Sequence, residues 1–241
     1  MRPTVLLFDI DGTLITTGGA GKRAVLRAVL AWAKARGLTL GPESSAFSFG
    51  GMTDRAIVRR ILVEAGAPPT DTDIDALLEH YLNALEQEVA GALGTKYQVL
   101  PGVTEVLDAV SDRSGIAVGL GTGNVERGAR VKLAHVDLAA RFAFGGFGCD
   151  AEERPALLHI GASRGAARLG LPLEDCRVVV IGDTFRDIAA AHAIGADCLA
   201  VATGGEPLES LREHRPRWAV SSLTDPSVLR ALLDPNEPKL P

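Results

Sequence analysis

Two short stretches, far apart in the chain, each place carboxylates at the end of an apolar run. Residues 5–13 read Val5-Leu6-Leu7-Phe8-Asp9-Ile10-Asp11-Gly12-Thr13, and the run Val178-Val179-Val180-Ile181 leads into Gly182-Asp183-Thr184-Phe185-Arg186-Asp187. Each run is too short for a helix and has the pattern of a buried parallel strand. In open α/β sheets ligands gather at the carboxyl ends of strands, which puts Asp9, Asp11 and Asp183 where chemistry is expected. Like charges at a buried strand end are costly unless a cation sits with them. Carboxylates brought to one sheet edge by two strands therefore predict a divalent-cation site. Asp187, one helical turn past Asp183, can bind that cation directly or through water, or can serve as a first-turn carboxylate favoured by the helix dipole.

The elements that must position these residues follow from periodicity. From Tyr97 onward strands and helices alternate. Helices are expected near Thr104–Ser111, Val125–Ala134, Pro155–Leu169 and Phe185–Ile194, and strands at Ile116–Gly121, Arg177–Ile181 and Cys198–Ala202. This alternation predicts a Rossmann-like α/β core, a parallel sheet with helices on both faces. Between Ala20 and Gly94 the pattern is helical throughout, over about Lys22–Arg36, Asp54–Ala65 and Asp71–Leu93. The expected organisation is a catalytic core of residues 1–15 and 96–241 with an all-helical cap inserted at 16–95. The glycine-rich segment Thr16–Gly21 suits a hinge between them.

Asp-Ile-Asp-Gly-Thr-Leu at residues 9–14, with Gly-Asp-Thr-x-x-Asp at 182–187, resembles the haloacid dehalogenase superfamily. Within it the order of parts is similar to the phosphoglycolate phosphatase-like branch, whose members carry a helical cap at this point. The resemblance implies a phosphotransferase in which Asp9 becomes an aspartyl phosphate. An ionised carboxylate needs no separate base to attack phosphorus. Asp11 is then the general acid for the departing alkoxide and the base for the attacking water. Relatives that break carbon–halogen bonds lack this second aspartate. Mg²⁺ prefers octahedral oxygen ligands, and Asp9 and Asp183 would supply carboxylates. The resemblance adds the backbone carbonyl of Asp11 to that metal set, with Asp187 directly or through water.

The same resemblance places a Ser or Thr at Thr122, inside Gly121-Thr122-Gly123-Asn124, with its hydroxyl and nearby backbone N–H groups on the phosphate. The following helix would aim its N-terminal amides at the same point. Family members usually carry a lysine before a later helix; here Arg154, in Glu152-Glu153-Arg154-Pro155, occupies that place as the expected phosphate cation. Lys132 lies about ten residues past Thr122 in mid-helix and is expected on a solvated face. The loop Phe49–Asp54 opens the second cap helix. Thr53 and Asp54 are either its N-terminal cap or contacts for the leaving group.

Composition sets limits on other readings. The 241 residues carry a net charge of −5 with 46% hydrophobic and 23% charged residues, ordinary for a globular protein. That balance argues against a polyanion-binding surface and for a small anionic substrate, with no nucleic acid partner. Cys149, Cys176 and Cys198 form no metal or redox spacing and read as reduced thiols. No apolar run approaches the roughly 20 residues that span a bilayer, and a strand beginning by residue 4 leaves no room for a leader. A cytoplasmic enzyme is expected. Gly21-Lys22-Arg23 fails as a phosphate loop, since Arg23 stands where Ser or Thr should be. Within the resemblance, a phosphatase acting on phosphoglycolate, a sugar phosphate or a nucleotide, a phosphomutase, and a non-catalytic phospho-ligand-binding protein remain open.

Overall fold

The computed structural model describes residues 2–37, 49–66, 69–92 and 96–234. Its centre is a six-stranded, wholly parallel sheet built from β1 (Thr4–Phe8), β4 (Ile116–Gly121), β5 (Gly145–Gly146), β6 (Arg177–Gly182), β7 (Asp197–Val201) and β8 (Trp218–Val220). The strand order is β5-β4-β1-β6-β7-β8. β1 sits between β4 and β6, with Phe8 in register with both Leu120 and Ile181. The three strands whose ends hold Asp9, Thr122 and Asp183 are therefore neighbours that terminate on one edge. This is the α/β architecture expected.

β1 is buried along its whole length, as a central parallel strand must be. Its side chains alternate between two apolar layers: Leu6 and Phe8 join one, Val5 and Leu7 the other. The second layer includes Leu157, Leu158 and Ala162 of α6 (Arg154–Leu169) and Ile188 and Ala191 of α7 (Phe185–Ala193). The first takes α4 (Val103–Ser111), α5 (Glu126–Ala134) and α9 (Val228–Leu233), and continues into α1 (Ala20–Ala35), α2 (Asp54–Glu64) and α3 (Asp71–Ala90). A short helix α8 (Leu208–Glu213) precedes β8.

The helical segment is flanked by a feature the periodicity did not show. β2 (Ile15–Thr17) and β3 (Tyr97–Val99) pair antiparallel, Ile15 opposite Val99 and Thr17 opposite Tyr97. The chain thus departs toward α1–α3 and returns at adjoining positions. Strands of three residues are too short to declare a period, as is the two-residue β5. The expected Thr16–Gly21 hinge is narrower than its composition suggests. Thr16 and Thr17 are in β2, Ala20 and Gly21 are helical, and the turn itself is Gly18-Gly19, both at positive φ. The expected end of α3 at Leu93 and Gly94 lies outside the described residues. Among the described residues no helix is long and apolar enough to cross a membrane.

α6 lies unusually close to β5. A Cβ on Gly146 would stand 1.9 Å from the Leu157 carbonyl oxygen, and one on Gly161 would stand 2.8 Å from Gly146 N. These are backbone atoms that cannot swing aside. Gly161→Ala gains about 1 kcal/mol of helix propensity, but overpacking costs about 1–3 kcal/mol. Gly146→Ala has no such gain. The expected result is a loss of about 2–3 kcal/mol for Gly146→Ala in chemical denaturation. Because Arg154 begins α6, activity should fall with it.

Candidate active site

Asp9 leaves the end of β1 and is buried with Asp183, which follows β6, and with Asp187 in the first turn of α7. One carboxylate oxygen from each lies within 4.8 Å of the others. Burial pushes the Asp9 carboxyl up to about 6 even though Arg154 pulls it down. Burial, then the charges of Asp187 and Asp9, push Asp183 up to about 9. Three buried acids so close together are short of positive charge. The hollow beside Asp183 is kept open by glycine: a Cβ on Gly12 would fall 2.3 Å from its Oδ2, and one on Gly204 only 1.7 Å away. Gly12 also has φ +83°, a left-handed conformation that other residues adopt at a cost. Thr13 Oγ1 donates to Asp183 Oδ1 at 3.2 Å, holding the group from behind. A hard divalent cation fits this donor set.

Asp187 is engaged differently from the other two. Its Oδ2 accepts from the Thr184 backbone N–H at 3.1 Å and the Thr184 hydroxyl at 2.7 Å, closing a reciprocal cap on α7. Its Oδ1 accepts from Arg154 Nε at 3.0 Å and Nη2 at 2.5 Å. Four donors already occupy this carboxylate, which favours the helix-terminus reading over direct metal ligation. Arg154 comes to the site as expected, buried, with Nη2 at 2.9 Å from Asp9 Oδ2. It also donates Nη1 to the Gly51 carbonyl at 3.3 Å, so one guanidinium joins the nucleophile position to the loop before α2.

Thr122 is fully buried and its hydroxyl faces Asp9. Its Oγ1 accepts from Asn124 Nδ2 at 2.9 Å. Asn124 Nδ2 also donates to Asp11 Oδ2 at 3.0 Å, which ties the loop after β4 to the loop after β1. Gly123 has no room for a side chain, since its Cβ would meet the Met52 carbonyl oxygen at 2.4 Å.

Lys132 corrects an expectation. It is not on a solvated face: the residue is 4% exposed, and its Nζ donates to Asp11 Oδ2 and to Asn124 Oδ1, both at 2.6 Å. The buried face of α5 is Gly128, Ala129, Lys132 and Leu133. The sequence held that signal, a lysine in phase with the apolar positions. Its partner Asp11 is 121 residues away, which no local pattern can report.

Thr53 is the N-terminal cap of α2, accepting from Ala56 N at 3.2 Å and donating to the Glu152 carbonyl at 3.1 Å. Asp54 anchors the same helix on the core. Its N–H donates to the Gly123 carbonyl at 2.8 Å, and its Oδ2 accepts from Val125 N at 2.9 Å. Burial pushes Asp54 up to about 6, against the pull of Lys132. A cavity of about 220 Å³ opens here, lined by Asp9, Asp11, Asp54, Lys132, Arg154 and Asp183 among others. It is a half-open, small-molecule-sized hollow at the carboxyl edge of the sheet, with charged side chains set in a largely apolar lining. Cys149, Cys176 and Cys198 are free thiols away from it.

A family model described as haloacid dehalogenase-like hydrolase matches residues 3–195, which include Asp9, Asp11, Asp54, Thr122, Lys132, Arg154, Asp183 and Asp187. The chain belongs to the haloacid dehalogenase-like hydrolase family. Among curated relatives of this hydrolase are proteins named phosphoglycolate phosphatase. The one from Synechococcus elongatus is 25% identical, over 91% of this chain and 93% of its own. The one from Photorhabdus laumondii subsp. laumondii is 26% identical, over 91% and 89%. The hydrolase fold is shared with a solved structure from Clostridium difficile described as β-phosphoglucomutase (TM-score 0.66, 18% identity, 92% of each chain covered). A predicted phosphoglycolate phosphatase from Haemophilus somnus also shares it (TM-score 0.64, 17% identity, 96% and 98% covered). This haloacid dehalogenase-like hydrolase is an enzyme of the phosphatase type.

Proposed function

We propose that the protein is a Mg²⁺-dependent phosphatase that hydrolyses a small phosphorylated metabolite through an aspartyl phosphate on Asp9. The observation that carries this reading is the pairing, in one buried hollow, of Asp9 and Asp183 with Arg154, while Asp11 is held to one side by Lys132 and Asn124. Asp9 attacks phosphorus and Asp11 gives its proton to the leaving oxygen. Asp11 then takes a proton from water as the water attacks the phosphoenzyme, returning free phosphate and Asp9. The Thr122 hydroxyl, the backbone N–H groups of Gly123 and Asn124, and Arg154 hold the phosphoryl oxygens. Asp9 and Asp183 would hold the metal with the Asp11 carbonyl, and Mg²⁺ supplies charge neutralisation there when bound. Asp187 acts through Arg154 and Thr184. Residues 16–95 form the cap that selects the substrate, and the enzyme works in the cytoplasm without nucleic acid or membrane.

Phosphate release from p-nitrophenyl phosphate and a panel of phosphometabolites, with Mg²⁺ and with EDTA, tests the proposal. Metal-dependent release supports it, and no release from any ester contradicts it. A phosphomutase would instead return an isomeric phosphate ester, which product analysis identifies.

The raised Asp183 value has a consequence for stability. Its ordinary value is 3.8, so between there and about 9 the folded chain keeps a proton that the unfolded chain has released. Without metal, stability therefore falls as pH rises through that window. Mg²⁺ binds the ionised form, so its rise in Tm should be larger at about pH 8 than at about pH 5. Equal shifts at both pH values would contradict a carboxylate metal site.

A further inference from the structure

The two carboxylate oxygens of Asp11 meet different surroundings. Oδ2 accepts from Lys132 Nζ at 2.6 Å and from Asn124 Nδ2 at 3.0 Å. No described residue donates to Oδ1, and the Asp11 side chain, 42% exposed, lines the cavity. The same lysine orients the Asn124 amide. An ammonium only donates, so the amide atom 2.6 Å from Nζ is Oδ1, which turns Nδ2 to Asp11 and to Thr122 Oγ1. Lys132 is itself held in place. It is buried, and its backbone carbonyl accepts from the Tyr97 hydroxyl at 2.8 Å. Gly21, at the start of α1, covers the ammonium: a Cβ there would stand 3.3 Å from Nζ.

This arrangement decides where an acidic proton can sit. A proton on Oδ2 would point at two donors, whereas Oδ1 is open to the cavity that receives the ester. Resting on the phosphatase reading above, we propose that Lys132 is the positioning residue of the leaving-group acid. It fills Oδ2 of Asp11 and so keeps the proton on Oδ1, facing the ester oxygen. In the step itself an Asp9 oxygen bonds to phosphorus as the P–O ester bond breaks. The departing oxygen takes the Oδ1 proton, and the O–H electron pair stays on Asp11, whose anion the ammonium holds at Oδ2. The need for Lys132 therefore grows with the basicity of the leaving group.

Three aromatic esters of similar shape test this on the intact Mg²⁺-loaded protein: p-nitrophenyl, phenyl and benzyl phosphate. p-Nitrophenolate is a stable anion that leaves without a proton, phenolate is more basic, and the benzyl alkoxide needs the proton most. The measured quantity is kcat/KM, which ends with departure of the alcohol or phenol and so excludes the hydrolysis of the phosphoenzyme common to all three. Lys132→Met should leave p-nitrophenyl phosphate within about threefold of wild type and lower benzyl phosphate by about 10²-fold or more, with phenyl phosphate between them. In an Asp11→Asn background the same substitution should have no further effect on any ester, because Lys132 acts through Asp11. Tm is read first. Where Lys132→Met does not fold, Lys132→Gln, which keeps a donor for Asn124 but no charge, should give the same order of losses. Equal losses for the three esters, or a loss that persists in the Asp11→Asn background, overturn the inference while leaving the phosphatase intact: Lys132 would then serve the phosphoryl group or the fold. Absence of turnover for all three esters by the wild-type protein removes the phosphatase reading and this inference with it.

Discussion

Asp9→Asn is expected to reduce phosphate release by a factor on the order of 10⁴ or more, the scale seen when a nucleophile is removed from a covalent mechanism. The substitution keeps the shape of the side chain and its place at the end of β1. It removes the attacking oxygen's charge, and an amide oxygen cannot form the mixed anhydride. Folding should survive. Asp9 is buried beside Asp183 and Asp187, and burial has already pushed its carboxyl up to about 6. Taking away one of three crowded acids relieves repulsion, so the metal-free protein should lose little stability although Arg154 loses a partner. Inactive protein with a near-native Tm is the expected pair of results. Activity retained within tenfold would remove Asp9 from the chemistry.

Arg154 carries the second large effect. Its guanidinium contacts Asp187 through Nε and Nη2, Asp9 through Nη2 and the Gly51 carbonyl through Nη1. Arg154→Met leaves two buried carboxylates without their cation, a loss of about 3–5 kcal/mol when one partner of a buried pair is removed. At about 2–4 °C per kcal/mol for a chain of this size, Tm should fall by roughly 10 °C. Activity should fall by about 10²–10³-fold, as for removal of a charge-stabilising donor. Arg154→Lys separates two roles. A lysine restores the positive charge beside Asp9, but one compact ammonium cannot also span Asp187 and the Gly51 carbonyl. That variant should recover much of the stability and lose activity chiefly through a raised KM, because the loop before α2 is no longer tied to the phosphoryl site. Equal kcat and KM in the lysine variant would show that neutralisation alone is what this position provides.

The strands that hold the site could be read from the sequence because they are buried on both faces and so carry unbroken apolar runs. Ile116–Gly121 ends where it was expected, and the strand at Arg177 runs one residue further, to Gly182. Asp9 and Asp183 could be read because each follows a buried apolar strand, a position with a local signature, whereas Thr122 and Arg154 are singled out by the family resemblance. For Lys132 the sequence showed only its phase with the apolar positions of α5, and its role needed the distant partner Asp11, 121 residues away. The same holds for Gly204, whose need for glycine comes from Asp183 and not from its own neighbours. The β2–β3 pairing was invisible because it joins three-residue segments that lie on either side of α1, α2 and α3 in the chain. The dual use of Thr53 and Asp54, as helix terminus and as anchor on the loop after β4, needed the fold to bring residues 53–54 against 123–125.

The most direct test is mass spectrometry of the protein quenched in acid during turnover of p-nitrophenyl phosphate with Mg²⁺. The account predicts one phosphoryl group on the peptide that carries Asp9, absent with EDTA and absent from Asp9→Asn. A phosphoryl group on any other residue, or an Asp9→Asn protein that still releases phosphate at the wild-type rate, would contradict it.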